Sequence, residues 1–368
     1  MHKRIHEIAK PSLRHISPYV PGKPIQEVQR ELGLTGIIKL ASNENPLGPS
    51  PMALTAIRNA LNDIHRYPEG SAFYLKRRLA EHLNVPPEML LISSGSSEAI
   101  SLFLEAFTLA GDEIVMPTPS FIIYAILSHM LGAVPIPVAL EKDFTYDLDA
   151  FADRITPRTK FVILCSPNNP TGTVIRRDQW ESFLKRVPEN VFIISDEAYF
   201  EYVESPEFGS GFPHLDRGNV IVVRTFSKIY GLAGLRIGYG IANEHVIGVI
   251  EKIRPPFNTT GIAQEAALAA LDDREHVRRS AALNSVGKKF LCREFSRLGI
   301  AYTPTEANFI LCRFAGSATK LVKDLEQRGI IIRLVQGFGL PDNFVRITIG
   351  THEENEALIR ALEEMGNP

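Results

Sequence analysis

The sequence has 368 residues, about two and a half times the length of a typical domain unit, so it predicts one large domain with a smaller companion, or two comparable domains. Hydrophobic residues make up 45% and charged residues 22% of the chain, which excludes the disordered, collagen-like and coiled-coil classes. Forty basic and forty-two acidic side chains give a formal charge of -2. We therefore expect no nucleic-acid partner, because the chain carries no excess of positive charge.

The cysteines and the apolar segments indicate in which cellular compartment the protein is located. Cys165, Cys292 and Cys312 are odd in number, are far apart in the sequence and form no C-x-x-C pair, so we expect a reducing compartment and no metal site. The amino terminus carries no apolar segment of the secretory type, and the longest apolar runs, such as 121–127, are too short to span a bilayer. These features predict a cytoplasmic protein without a membrane partner.

Seven short apolar runs rich in β-branched residues predict buried strands between residues 90 and 241. The runs are 90–93, 113–116, 134–138, 161–165, 191–195, 220–224 and 237–241. The segment 96–111 places apolar residues at helical spacing before a terminating Gly111, and most other connections are long enough for a crossover helix. Continuous apolar runs joined by helices predict a mainly parallel α/β sheet with helices on both faces.

The pattern changes after the Pro255-Pro256 pair. A long helical stretch at 261–299 is followed by alternating apolar and polar residues at 308–314 and 344–350, which predicts a separate, smaller α+β domain. The predicted division is an amino-terminal arm at 1–44 that is part of the small domain or packs on it, a large domain at 45–256, and the small domain at 257–368.

Polar clusters follow three of the predicted strands. These clusters are SPNNPTG at 166–172, DEAY at 196–199 and TFSK at 225–228. In open α/β sheets ligands bind beyond the carboxyl ends of the strands, so these clusters are the candidate functional residues.

The clusters and their order resemble those of fold-type I pyridoxal-phosphate aminotransferases. TFSKIYGLAGLRIGYG at 225–240 resembles the signature around the cofactor-binding lysine, and the resemblance extends from Tyr19 to 348–351. It implies an aspartate aminotransferase-like fold, in which the large domain binds pyridoxal 5'-phosphate on a seven-stranded sheet. The glycines of GLAGLRIGYG precede a strand, whereas those of a dinucleotide fingerprint follow one, so we do not expect a dinucleotide site.

The resemblance implies roles for five residues around the cofactor ring. Lys228 supplies the primary amine that joins the cofactor aldehyde and later moves a proton. Asp196 pairs with the ring nitrogen, although an aspartate at this position is also typical of a helix cap. Asn169 and Tyr199 donate hydrogen bonds to the ring hydroxyl, and Phe121 stacks on the ring.

Five further residues are implied to bind the cofactor phosphate. Ser96 and Ser97 open the predicted helix, so their backbone amides point towards an anion, although a serine-rich start is also typical of a simple cap. Thr225, Ser227 and Arg236 match the remaining phosphate-binding residues of the family.

Several segments resemble histidinol-phosphate aminotransferases in particular. These segments lie at 17–19, 40–50, 66–70 and 333–351. This resemblance implies a transaminase of histidine biosynthesis. It would transfer an amino group between the pair histidinol phosphate and imidazoleacetol phosphate and the pair glutamate and 2-oxoglutarate.

The same resemblance implies how substrates bind. Arg346 clamps the α-carboxylate of glutamate, because a planar guanidinium matches a carboxylate with two hydrogen bonds. Arg333 recognises the second anion, either a carboxylate or a phosphate, and Tyr19 adds a hydroxyl donor. Tyr67 reaches the cofactor phosphate of a neighbouring subunit, which predicts a homodimer.

Three alternatives stay open at this stage. An aromatic amino-acid aminotransferase, acting on phenylalanine or tyrosine, or a dual-specificity enzyme has the same scaffold, and Ile229 and Leu334 depart from the family pattern at walls that distinguish substrates. A decarboxylase of a phosphorylated amino acid is a further relative. A non-catalytic PLP-sensing module fused to a DNA-binding head is the remaining one, but we expect no room for such a head before Leu40.

Overall fold

The computed structural model describes residues 8–18 and 20–366. The strands, in chain order, are β1 Ile38–Leu40, β2 Leu90–Ser93, β3 Glu113–Thr118, β4 Val134–Ala139, β5 Thr159–Cys165, β6 Phe192–Asp196, β7 Val220–Thr225, β8 Gly238–Ile241, β9 Ala301–Tyr302, β10 Phe309–Arg313, β11 Ile330–Leu334 and β12 Phe344–Thr348. The α-helices are α1 Ile25–Leu32, α2 Pro51–Ala60, α3 Phe73–Leu83, α4 Ser96–Phe107, α5 Ile123–Leu131, α6 Leu148–Asp153, α7 Arg177–Leu184, α8 Glu244–Ile250, α9 Gly261–Asp272, α10 Arg274–Arg297, α11 Ala318–Glu326 and α12 His352–Glu364. Within these described ranges, no helix combines the length and apolarity needed to cross a membrane.

The larger sheet has seven strands in the order β2-β8-β7-β6-β5-β3-β4. Strand β8 runs antiparallel to both of its neighbours, and the other strand pairs are parallel. In β5, Phe161 and Ile163 belong to one apolar cluster, whereas Val162 and Leu164 belong to another. Both faces of the strand are thus buried, which explains the continuous apolar run. The prediction of a mainly parallel seven-stranded sheet is confirmed.

The smaller sheet has five strands in the order β1-β11-β12-β10-β9. Strand β1, from the predicted arm at 1–44, pairs in parallel with β11 at the edge of this sheet. Helix α9 buries Ala263 and Ala267 in one apolar cluster with Ala53 of α2 and Leu75 of α3. This helix, which follows the predicted division at residue 256, therefore packs against helices that precede that division. The division itself stays a prediction.

Two predicted helical spans differ from the observed ones. Helix α4 ends at Phe107 rather than near Gly111, because Thr108 adopts an extended conformation and the Asp112 carboxylate accepts a 2.7 Å hydrogen bond from the Leu109 amide. The stretch at 261–299 is two helices rather than one. Asp273 separates α9 from α10, and its carboxylate accepts a 3.0 Å hydrogen bond from the His276 amide, the bond expected of an N-cap residue.

Candidate active site

The polar clusters of the sequence meet at one edge of the seven-stranded sheet. Strands β5, β6 and β7 are parallel neighbours, and Cys165 at the end of β5 pairs with Asp196 at the end of β6. A cavity of about 340 Å³ lies at this edge. Among the described residues, every predicted site residue except Tyr67 lines it, namely Ser96, Ser97, Phe121, Asn169, Asp196, Tyr199, Thr225, Ser227, Lys228, Arg236, Arg333 and Arg346.

Lys228 follows β7 by three residues and extends its amine into this cavity. Its Nζ lies 3.5 Å from the carbonyl oxygen of Ser42 and 5.4 Å from the centre of the Tyr199 ring. Burial, followed by the positive charge of Arg346, lowers the pKa of the Lys228 amine to about 8. An amine with this pKa is partly neutral near physiological pH, so it can act as a nucleophile and accept a proton.

Asp196 is a buried carboxylate held by two donors. The hydroxyl of Tyr124, on α5, donates to its Oδ2 at 2.7 Å, and the amide of Ala198 donates to its Oδ1 at 3.2 Å. Burial raises the pKa of Asp196 to about 6, and the Tyr124 hydrogen bond opposes that rise. A cationic N–H group beside this carboxylate would offset the cost of burying its charge. Tyr124 escaped the sequence analysis because it resembles an ordinary packing residue of an apolar helix.

Asn169 and Tyr199 present hydrogen-bonding groups to the same cavity. The Arg346 guanidinium donates to Oδ1 of Asn169 at 2.6 Å. Because a guanidinium only donates, the amide oxygen must face it, and Nδ2 is the side-chain donor that Asn169 retains. The Tyr199 ring packs edge-on against Phe309 at 5.1 Å, and its hydroxyl oxygen accepts a 2.8 Å hydrogen bond from Asn43.

The start of α4 and the Arg236 guanidinium give one end of the cavity positive charge. Gly95 has a φ of +77°, and a Cβ added there would lie 2.6 Å from a guanidinium nitrogen of Arg236, so this position requires glycine. Ser96 is the first residue of the helix, where backbone amides carry partial positive charge. Arg236 donates to the Ser227 hydroxyl at 3.3 Å, and the hydroxyl of Thr225 accepts from the Ser227 amide at 3.1 Å.

Two arginines lie side by side on the smaller sheet. Arg333 of β11 and Arg346 of β12 occupy directly paired positions, and both line the cavity. Arg346 donates to the carbonyl of Ala41 and Arg333 to that of Val20, each at 2.7 Å. The ring of Phe338 lies beneath both guanidinium groups, at 5.6 Å from Arg333 and 5.8 Å from Arg346. Like charges at paired positions repel each other, so this arrangement is typical of a site for anionic groups.

Tyr67 lies outside this cavity, and Tyr19 lies outside the described residues. Tyr67 is 81% exposed, and its ring stacks on Phe257 with centroids 4.7 Å apart. Both rings line a second cavity of about 1170 Å³, which Arg236 also lines. Arg236 therefore borders both cavities.

The chain is similar over nearly its full length to aminotransferases. The family model described as aminotransferase class I and II matches residues 35–362. A histidinol-phosphate aminotransferase of Moorella thermoacetica is 47% identical over 352 residues, which are 95% of this chain and 91% of that protein. The crystal structure of histidinol-phosphate aminotransferase from Sinorhizobium meliloti in complex with pyridoxal-5'-phosphate aligns with a TM-score of 0.88 at 27% identity, covering 97% of each chain.

The fold class predicted from the sequence is confirmed by a second solved structure. A double mutant of aspartate aminotransferase from Thermus thermophilus, 24% identical, aligns with a TM-score of 0.82 and covers 96% of this chain and 99% of that one.

Proposed function

This chain belongs to the class I and class II aminotransferases, and we propose that it exchanges an amino group between histidinol phosphate and 2-oxoglutarate. It is a transaminase dependent on pyridoxal 5'-phosphate. The observation that carries the substrate proposal is the pair of arginines, Arg333 and Arg346, which border the same cavity as Lys228. Glutamate brings two carboxylates to the site and histidinol phosphate brings one phosphate, so two adjacent guanidiniums suit both.

The residues around the cavity fit pyridoxal 5'-phosphate. A phosphate dianion needs backbone donors and positive charge, which the start of α4 at Ser96 and the guanidinium of Arg236 offer. Asp196 is a buried carboxylate suited to a protonated ring nitrogen, because that cation offsets the cost of burying its charge. When bound, the cofactor supplies a conjugated ring that accepts the electron pair left on the substrate carbon.

The proton transfer is proposed to run through Lys228. Its Nζ, with a pKa lowered to about 8, takes the proton from the carbon of the donor that bears the amino group. In the second half-reaction the same amine donates a proton to the carbon of the 2-oxo acid that receives the amino group. Arg346 and Arg333 hold the anionic groups of the substrate, so that this carbon stays within reach of the amine. Asn169 and Tyr199, which line the cavity, would donate hydrogen bonds to the cofactor ring oxygen.

We further propose a homodimer in which Tyr67 completes the partner's phosphate site. Tyr67 and Phe257 form an exposed aromatic stack, and Ile64 adds a side chain that is 67% exposed beside them. These side chains line the second cavity, and Arg236 lines both this cavity and the active-site cavity. An exposed apolar surface of this kind is typical of a subunit interface. Sedimentation velocity tests the proposal, since a monomer at micromolar concentration would contradict it.

The proposal includes a cytoplasmic location. Cys165, Cys292 and Cys312 are free thiols in the structure, which supports a reducing compartment. Fluorescence microscopy of the tagged full chain in its host tests this point, and a signal confined to the cell envelope would contradict it.

Two half-reactions test the substrate proposal. The purified holoenzyme should show visible cofactor absorbance that Lys228→Ala loses. Histidinol phosphate should convert that absorbance rapidly to the pyridoxamine form, and 2-oxoglutarate should restore it. Equal or faster conversion by phenylalanine would indicate an aromatic or dual-specificity aminotransferase instead. Release of carbon dioxide without 2-oxoglutarate would indicate a decarboxylase, and a holoenzyme that converts no amino donor would indicate a sensing module.

A further inference from the structure

Asn43 is a buried asparagine at the edge of the active-site cavity. It is 1% exposed, lines the cavity beside Tyr199 and has a φ of +56°, a left-handed conformation that asparagine tolerates better than most residues. Three polar neighbours hold it. Its backbone amide donates to the Thr348 hydroxyl at 3.0 Å, its carbonyl accepts from Asn308 at 3.0 Å, and its side chain bonds both Thr348 and Tyr199.

The bonds around Asn43 favour one orientation of its side-chain amide. The Thr348 hydroxyl is buried, and Oδ1 of Asn43, 3.2 Å away, accepts its proton. The opposite orientation would place Nδ2 against this hydroxyl and leave the buried proton without that acceptor. The same hydroxyl oxygen already accepts from the Asn43 backbone amide. With Oδ1 directed to Thr348, the amide nitrogen Nδ2 is the group that faces the Tyr199 hydroxyl, 2.8 Å away.

A donor at this position determines the direction of the Tyr199 proton. A phenol keeps its O–H bond close to the plane of the ring, so the proton has two favoured orientations. Nδ2 of Asn43 carries hydrogens and no acceptor, so the Tyr199 oxygen accepts on that side and its own proton points to the other. Tyr199 lines the cavity, and its ring is fixed edge-on against Phe309.

We propose that Asn43 is a positioning residue that makes Tyr199 a hydrogen-bond donor into the active site. This inference rests on the proposed function, in which Tyr199 donates to the cofactor ring oxygen. A donor at that oxygen stabilises its negative charge and so tunes the acidity of the bound cofactor. Asn43 lies in the connection after β1 and Thr348 ends β12, both strands of the smaller sheet, whereas Tyr199 follows β6 of the larger sheet. The two sheets therefore contribute jointly to the orientation of Tyr199.

The substitution Asn43→Asp tests the direction of this bond. Aspartate has the same shape and also tolerates a positive φ, and one of its oxygens can still accept from Thr348. The other oxygen would face Tyr199 as an acceptor, so the Tyr199 proton would turn towards residue 43 and away from the cofactor. The readout is the pH midpoint of the visible absorbance change of the holoenzyme. Loss of the donor should raise that midpoint by about one pH unit.

A double-mutant cycle with Tyr199→Phe separates this effect from that of a new negative charge. A charge acting through space raises the midpoint equally with or without the Tyr199 hydroxyl, whereas a reversed hydrogen bond acts only when the hydroxyl is present. We therefore expect Asn43→Asp to shift the midpoint in the wild-type background and to add little in the Tyr199→Phe background. Additive shifts, or no shift from Asn43→Asp alone, would overturn the proposal.

Asn43→Gly provides a variant that keeps the backbone conformation without burying a charge. It removes the donor but supplies no acceptor, so its midpoint should lie between those of the wild type and Tyr199→Phe. A midpoint equal to that of the wild type would contradict an orienting role, even if Asn43→Asp fails to fold. Absence of visible cofactor absorbance in the wild type would instead contradict the proposed function and not the orientation of Asn43.

Discussion

Asp196→Asn is expected to stabilise the cofactor-free protein at pH 8 while lowering its transaminase activity. The carboxyl is 2% exposed, and burial raises its pKa to about 6. An aspartate of the unfolded chain has a pKa of about 3.9, so the folded state binds the carboxyl proton of Asp196 more tightly than the unfolded state does. Between about pH 4 and pH 6 the folded protein therefore binds more protons than the unfolded chain, and its stability falls as the pH rises through that window.

The magnitude follows from the difference between the two pKa values. About two pKa units correspond to about 3 kcal/mol lost at pH 8, and to about half of that at pH 5, where the difference between the two pKa values is only partly expressed. Asparagine can direct its oxygen to the Ala198 amide and donate from Nδ2 to the Tyr124 hydroxyl oxygen, because a hydroxyl also accepts, and it carries no charge. The free energy of unfolding of the variant should exceed that of the wild type by these amounts.

Urea denaturation of the cofactor-free proteins at pH 5 and pH 8 measures this difference. Glu197→Gln is the matched control, because Glu197 is the adjacent buried carboxylate and forms a 2.8 Å ion pair with Arg224. Removing one partner of such a pair should destabilise the protein by about 3 kcal/mol or more at both pH values. If Asp196→Asn is less stable than the wild type at pH 8, the burial cost assigned to Asp196 is refuted.

The remaining predictions concern the amine and the two arginines. In the cofactor-free protein, Lys228 should react with trinitrobenzenesulfonate at a rate that rises with pH around a midpoint near 8, because its neutral form is the nucleophile; a midpoint near 10 would contradict the effect of burial. Phe338→Leu should raise the KM for glutamate about 5- to 30-fold, with a smaller change in kcat, because it removes two cation–π contacts of about 0.5–1 kcal/mol each beneath Arg333 and Arg346. Phe344→Leu, in the same apolar cluster, is the control, and an equal rise in KM there would indicate a general packing effect.

The strands of the larger sheet were predictable because burial on both faces leaves a continuous apolar run in the sequence. The helix ends were not, because they depend on single hydrogen bonds. Apolar spacing continues past Thr108, yet the side chain of Asp112 stabilises a turn there instead. Apolar spacing also continues across Asp273, where a carboxylate ends one helix and caps the next.

The reacting groups were predictable for a different reason. Asp196 ends one strand and Lys228 follows the next, and parallel strands bring their carboxyl ends to the same edge of a sheet. Asn43 and Tyr124 were missed because each acts through a partner more than 70 residues away in the sequence. Phe338 was missed because its two partners, Arg333 and Arg346, lie on two paired strands. Nothing in their local sequence distinguishes them from turn or packing residues, so only the folded arrangement identifies them.

The charged groups of this cavity lower the stability of the fold, and a suitable ligand would remove that loss of stability. A carboxylate is buried at Asp196, an amine is partly buried at Lys228, and two guanidiniums lie side by side at Arg333 and Arg346. Burial disfavours the charged forms of Asp196 and Lys228, and the two guanidiniums repel each other. A ring cation, an aldehyde and the substrate anions would each offset one of these costs. Binding of cofactor and substrate should therefore stabilise the fold by more than contact area alone explains, because it also relieves these electrostatic penalties.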